Sequence, residues 1–498
     1  MHDLLRCLGW HIVRGESPNL PGKRSRLWLD DDKGRSSWFF EDARNVLMDN
    51  TGTTAVEGLF LSLPEKEEIP LNSDPLFGFW RRNSDPFLSM SKLRLLKICN
   101  VNFLNVRLSN PCENLRLSEW HECPLKSLSS WLVLGQLVEL RIPNSHIRTL
   151  WDGSQVKLNM LVRMDLSNCR YLTMTPDLSV APNLETLILE GCTELSKVHR
   201  SIMELRRLDL LNLKGCVSLK ELPDVINLPS LQTFILSGCT NLGKFPRIVD
   251  HMDTLSELYL DGTAIQDLDL SFGYLRGLVL LNLSGCKNLR GLPFSVGLMR
   301  SLKYLYLSLC SRLETLPEQI YYMSRLEELD ACETAIKEFP EDIFLGSQNL
   351  KLLCFHGCSE LRLRRHAPWG RAPFLTTLNL GGCNLAEGDI PDEIDILYLL
   401  QILDLSENNF LSIPRSVCQL PELREISVRG CAKLQSLPSI DPPSIKYVDI
   451  RGCTALGNNY SDRWRILPDG LRIRNCPRWD DRHPPSGVEF HQFHRSLP

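Results

Sequence analysis

The sequence predicts an α/β solenoid: short parallel strands on a concave face, loops and single 3₁₀ turns on a convex face, and a small helical segment in front. Three observations predict it. An apolar pattern, L-x-x-L-x-L-x-x-C/T/N-x-x-L-x-x-L-P, recurs with successive starts 22 to 25 residues apart. A small residue, most often the Cys of a Gly-Cys pair, returns at one fixed place in that pattern, as in LLNLKGCVSLKELP from Leu210 to Pro223. A chain of 498 residues is also too long for one compact core unless it is elongated.

The repeats start at Leu161, Leu184, Leu208, Leu231, Leu255, Leu278, Leu302, Leu326, Leu350, Leu375, Leu400, Leu423 and Ile445. An earlier one starts at Leu137, and looser ones lie around LRLLKICNVNF and LRLSEWHECPLKSL. This period is that of a leucine-rich repeat, and stacked turns of that kind form a horseshoe. The last two leucines of L-x-x-L-x-L alternate, so both face inward from one short strand, and the x positions face outward. The Leu-Pro steps at Leu222-Pro223, Leu292-Pro293, Leu316-Pro317 and Leu437-Pro438 suit irregular backbone, because Pro fixes φ and has no N–H. One turn cannot bury its own leucines, so its stability comes from its neighbours.

Eleven of the eighteen cysteines hold the fixed place: Cys169, Cys192, Cys216, Cys239, Cys286, Cys310, Cys358, Cys383, Cys431, Cys453 and Cys476. Thr263, Thr334, Asn408 and Ser145 hold it elsewhere. All four residue types are small and carry a donor, which predicts a buried side chain donating to a loop carbonyl. Stacked Cβ atoms at ~4.8 Å are too far apart for a bridge within this ladder. No Cys-x-x-Cys pair is present, so no metal site is expected, and the His491/His494 pair has no Cys beside it.

Composition excludes several functions. The charge is −4, with 43% hydrophobic and 23% charged residues, so no global basic field argues for nucleic acid or acidic membranes. No uncharged apolar run of membrane-spanning length occurs, and the first residues lack the apolar core of a signal peptide. A cytosolic or nuclear location is the default. No Ser/His/Asp set or paired carboxylates stand out, so no enzyme, no catalytic residue and no cofactor are expected.

The first 55 residues do not follow the repeat. MHDLLRCLGWHIVRGES has helical spacing at Leu4, Leu5, Leu8, Ile12 and Val13; PGKRSRLW and EDARNVLMDNTGTTAVEGLFLSL follow. This order closely resembles the end of the nucleotide-binding (NB-ARC) module of plant intracellular immune receptors with a Toll/interleukin-1-receptor-like front end, the TIR-NBS-LRR disease resistance proteins. The resemblance extends through the Gly-Cys repeats and covers essentially the whole chain. It implies a winged-helix remnant over 1–55. The repeat pattern itself gives irregular repeats over 56–136 and regular repeats over 137–457. Residues 458–498 depart from the family, as a partial last repeat followed by a Pro- and charge-rich tail that is expected to be disordered. The resemblance implies that His2 and Asp3 belong to the motif that senses bound ADP. No G-x-x-x-x-G-K-[ST] loop is present to cradle phosphates, so ADP binding is expected only in the full receptor. The chain reads as a receptor cut at both ends.

Function is expected on the outward strand positions. Tyr259, Tyr304 and Tyr306 are interface-type aromatics. Glu327, Glu328 and Asp330 form an acidic patch, and Arg424, Glu425, Arg429, Lys446, Asp449 and Arg451 a mixed one. The resemblance implies that this face recognises a pathogen effector or a guarded host protein and restrains the NB-ARC module. Two other readings stay open. One is an extracellular plant repeat receptor, which the sequons at Asn282 and Asn459 would suit. The other is a repeat adaptor of a ubiquitin ligase.

Overall fold

The computed structural model describes residues 2–30, 40–70, 87, 89–104, 113–128, 135–151, 157–340, 343–363, 372–438, 445–456 and 472–473. The fold is a parallel β-solenoid with few helices, in two compact units, Met1–Thr334 and Ala335–Pro498.

The first unit opens with the helix His2–Glu16 and the short 3₁₀ turn Pro21–Lys23. The strand Arg26–Asp30 follows, and it pairs parallel with Gly58–Pro70, Arg26 opposite Gly58. Parallel pairing therefore starts in the RLWLD segment, ahead of the repeat boundary expected at 56. Leu27 makes this possible by pointing into the core at 1% exposure. The helix Phe40–Met48 packs on this strand through buried Ala43, Val46 and Leu47. Buried Arg24 fixes the junction, reaching Asp42 at 2.5 Å and the carbonyls of Ser17 and Pro18 at 2.9 Å.

From Leu95 each turn contributes one strand to the large sheet, parallel to the next, up to Glu328–Asp330. Val225–Ile226 pairs with Arg247–Ile248 in a separate two-stranded sheet. The middle residue of each large-sheet strand is the inward one. Leu140, Met164, Leu187, Leu211, Phe234, Leu258, Leu281, Leu305 and Leu329 lie in register and are essentially fully buried. Burial of each such side chain contributes roughly 1.5–3 kcal/mol, which is why the leucine period dominates the sequence. Phe245 packs against Phe234 and Phe272, with ring centroids 5.9 and 5.2 Å apart, and joins the strand layer to the loop layer. The loop layer carries the 3₁₀ turns Arg200–Glu204, Leu270–Tyr274, Phe294–Leu298 and Glu318–Tyr322. Pro293 and Pro317 sit just before the last two of these in extended backbone, so the Leu-Pro step aims the chain into a short turn and does not break one.

The second unit repeats the scheme. Its strands Leu352–Cys354, Thr377–Asn379, Ile402–Asp404, Glu425–Ser427, Tyr447–Asp449 and Arg472–Ile473 pair in sequence order, all parallel. Pro391 and Pro414 precede the 3₁₀ turns Asp392–Ile396 and Arg415–Gln419 in the same way.

The Gly before the ladder residue has a backbone reason. Gly215, Gly238, Gly262 and Gly285 all hold φ between +68° and +72°. Each sends its N–H to the next turn, as Gly215 does to the Ser237 carbonyl at 2.8 Å. Left-handed backbone favours a residue without Cβ, and Asn is the usual alternative. Asn144 and Asn168 take that place in earlier turns.

Candidate functional site

The ladder position makes a running stitch between turns. Cys216 Sγ donates to the Leu189 carbonyl at 3.2 Å, and that carbonyl also accepts the Cys192 N–H. Cys169, Cys192, Cys239, Cys286 and Cys310 reach the carbonyls of Ile142, Leu166, Leu213, Leu260 and Leu283 at the same distance. In the second unit Cys383, Cys431 and Cys453 reach Phe355, Leu405 and Val428. Asn408 donates to Leu380, Leu405 and Ser406 and accepts from the Leu385 N–H. Thr263 lies 3.3 Å from Cys286 Sγ, whereas Thr334 and Ser145 donate within their own turns to Ala331 and Pro143. Cys358 is buried like the rest. Burial pushes the Cys239, Cys310 and Cys383 thiols up to about 12. Cys476 lies outside the described residues.

In the first unit the outward strand positions form two columns. One runs Glu257, Leu280, Tyr304, Glu328; the other Tyr259, Asn282, Tyr306, Asp330. Tyr306 Oη donates to Glu328 Oε2 at 2.9 Å, and Tyr259 Oη to Glu257 Oε2 at 3.2 Å. Burial first, then these carboxylates, raises both phenol pKa values, so the hydroxyls stay protonated donors.

Two of the acidic positions differ from the expectation of a free face. Glu327 precedes its strand and pairs with Lys303 at 2.8 Å, so it does not add to the acidic column. Asp330 accepts the Cys332 N–H at 3.0 Å, an Asx bond that closes the strand, and its burial raises its pKa. Asp165, Asn212 and Asn282 make the same bond in their own turns, as do Asn379, Asp404 and Asp449 in the second unit. This position therefore has a backbone duty that its outward direction hid. Asn282 also donates to Asp261 at 3.2 Å, so a glycan at that sequon would break an existing contact.

In the second unit Arg424 and Lys446 are exposed, and Glu425 and Arg429 are half-buried. Arg451 forms a fork onto Asp449, with Nε at 2.8 Å from Oδ1, so these two charges satisfy each other. His2 and Asp3 lie in the first helix, with side chains outside the description. Asn459, His491 and His494 lie outside the described residues.

Two features escaped the sequence reading. The first is a charged row, Lys97, Glu119, Arg141, Asp165, in which each residue is in register with the next. Glu119 Oε1 lies 3.1 Å from Lys97 Nζ, 2.9 Å from His121 Nε2 and 3.9 Å from Cys99 Sγ. The His121 hydrogen bond, and then Lys97, hold the Glu119 carboxyl down at about 2 against the opposing effect of burial. Cys99 and Glu119 raise His121 to about 9. No sequence spacing announces this cluster, because its members come from two turns. The second feature is an apolar ridge. The 3₁₀ turns Leu270–Tyr274, Phe294–Leu298 and Glu318–Tyr322 stack on one another and expose Leu270, Tyr274, Phe294, Leu298 and Tyr322. The sequence signal was present: two large apolar residues four apart in PFSVGLM, beyond the number the core needs.

Parallel turns stitched by small donors, with strands mostly three residues long, define the class: a leucine-rich-repeat protein. The family model described as Leucine Rich Repeat matches residues 374–397 and 399–420. Solved structures agree on the fold. A leucine-rich-repeat protein of Leptospira interrogans superposes with TM-score 0.55 at 19% identity, covering 84% of this chain and 90% of that one. The Toll–Spätzle complex of Drosophila gives TM-score 0.61 at 16% identity, covering 86% and 56%.

The chain is a relative of the plant disease resistance proteins that its sequence resembles. It is 34% identical to TMV resistance protein N of Nicotiana glutinosa, over 89% of this chain and 36% of that protein. It is also 34% identical to disease resistance-like protein DSC1 of Arabidopsis thaliana, over 92% and 37%. Disease resistance protein RPS4B of Arabidopsis thaliana is 30% identical, over 94% and 32%. The chain thus spans about a third of the length of these relatives. Among the described residues no helix is long and apolar enough to cross a membrane.

Proposed function

We propose that this chain is the recognition part of an intracellular plant immune receptor of the Toll/interleukin-1-receptor class, acting in the cytoplasm or nucleus in defence signalling. Its strand face binds a pathogen effector or a guarded host protein. The observation that carries this reading is the pair of columns at Glu257–Asp330. Three tyrosines and three carboxylates lie side by side on rigid backbone, with two phenol hydroxyls oriented by acids. Tyrosines held this way present large contact area at small entropic cost. Homology to disease resistance proteins supplies the biological setting. The charged row at Lys97–Asp165 and the exposed Arg424 and Lys446 serve contacts with an NB-ARC module, which they restrain. His2 and Asp3 sense ADP only where that module supplies a phosphate loop.

The test is Tyr304→Ala with Tyr306→Ala in a receptor that contains this segment. Capture of its cognate effector or guardee should fall by more than about tenfold, since two central aromatics are lost. Circular dichroism of the variant should match the parent. Undiminished capture would remove this face from recognition.

A further inference from the structure

We propose that Cys99, Glu119 and His121 form a binding site for a single zinc ion, with the fourth position open to water or to a ligand from a partner. The strand geometry assembles it. Glu119 and His121 are two residues apart along one edge, so they lie on the same side of the strand. The His121 N–H donates to the Ile98 carbonyl at 2.8 Å, which sets His121 beside Cys99 on the preceding turn. The three donor atoms, one sulfur, one imidazole nitrogen and one carboxylate oxygen, all lie within 4.8 Å of one another. The Nε2–Oε1 separation is 2.9 Å and the Sγ–Oε1 separation 3.9 Å. Ligands around a tetrahedral zinc stand roughly 3.3 to 3.5 Å apart, given bonds of about 2.0 to 2.3 Å. The two separations to Glu119 Oε1 each lie within about half an ångström of that spacing.

The donor set suits zinc better than calcium or magnesium, which take oxygen ligands. Binding displaces one proton from the Cys99 thiol and any proton on His121 Nε2, with no change of oxidation state. Lys97 opposes it, because its ammonium rests on the same Glu119 oxygen. Lys97 is 38% exposed, so it can turn out to solvent when the ion binds. The site shares Glu119 and Lys97 with the charged row but lies apart from the tyrosine columns, so its test needs no effector.

Cobalt(II) is the probe, titrated into the whole purified chain in thiol-protected, chelator-free buffer. The expected result is one equivalent bound, with a near-ultraviolet thiolate-to-cobalt band that zinc abolishes. Cys99→Ser should remove that band, and His121→Gln should weaken binding by more than about tenfold. Lys97→Gln, which removes no ligand, should tighten it. The proposal is overturned if the parent shows no thiolate band, if the band survives Cys99→Ser in a chain with parental circular dichroism, or if Lys97→Gln weakens binding.

Discussion

Leu309 stands where most turns have Gly, at φ +62°, with its side chain 46% exposed. It therefore carries the left-handed strain with little burial to offset it. Leu309→Gly should raise the stability of the chain by about 1 kcal/mol, read as an upward shift of the urea midpoint. The ladder thiols give a second prediction at this scale. An ordinary thiol titrates near 9, and burial lifts Cys239, Cys310 and Cys383 to about 12. The folded state thus holds protons that the unfolded state has released. Stability from this source is whole below pH 9 and is lost as pH rises towards 12. The urea midpoint should fall between pH 8 and pH 10.5, and fall less in Cys239→Thr with Cys310→Thr. Equal losses in both chains would mean that the thiols do not carry the effect.

At the scale of the element, each 3₁₀ turn divides its labour. In Phe294–Leu298 the middle Val296 is fully buried, while Phe294 and Leu298 are 54% and 46% exposed. Phe294→Ser with Leu298→Ser should change stability by less than about 0.5 kcal/mol, while Val296→Ala should cost roughly 2 kcal/mol. The double variant should also self-associate less in light scattering, because an apolar ridge attracts other apolar surface. The strands divide labour in the same sense. Their central residue belongs to the core and their first residue to the outer face. The last residue, where it is Asp or Asn, serves the backbone, as Asp330 and Asp449 do.

For the whole molecule, the repeat and the parallel order of its turns were legible in the residues alone. Each leucine's burial is decided within its own turn, and many nearly identical turns repeat that decision. The ladder was legible for the same reason: Cys, Thr, Asn and Ser share a size and a donor at one register position. The outward tyrosines could be placed because alternation along a strand is a local rule. What a side chain meets across turns is not local. Lys303 against Glu327 and the meeting of Cys99 with Glu119 and His121 depend on rotamers and on which turn lies beside which. The strand Arg26–Asp30 joined the stack early for a related cause, since a single turn shows no period. Sequence by itself determined the period, the inward faces and the small-donor ladder, because apolar burial follows from spacing. Only the tertiary structure decided which charges are spent on one another and which groups converge, because those contacts join residues some twenty positions apart that no short-range pattern links.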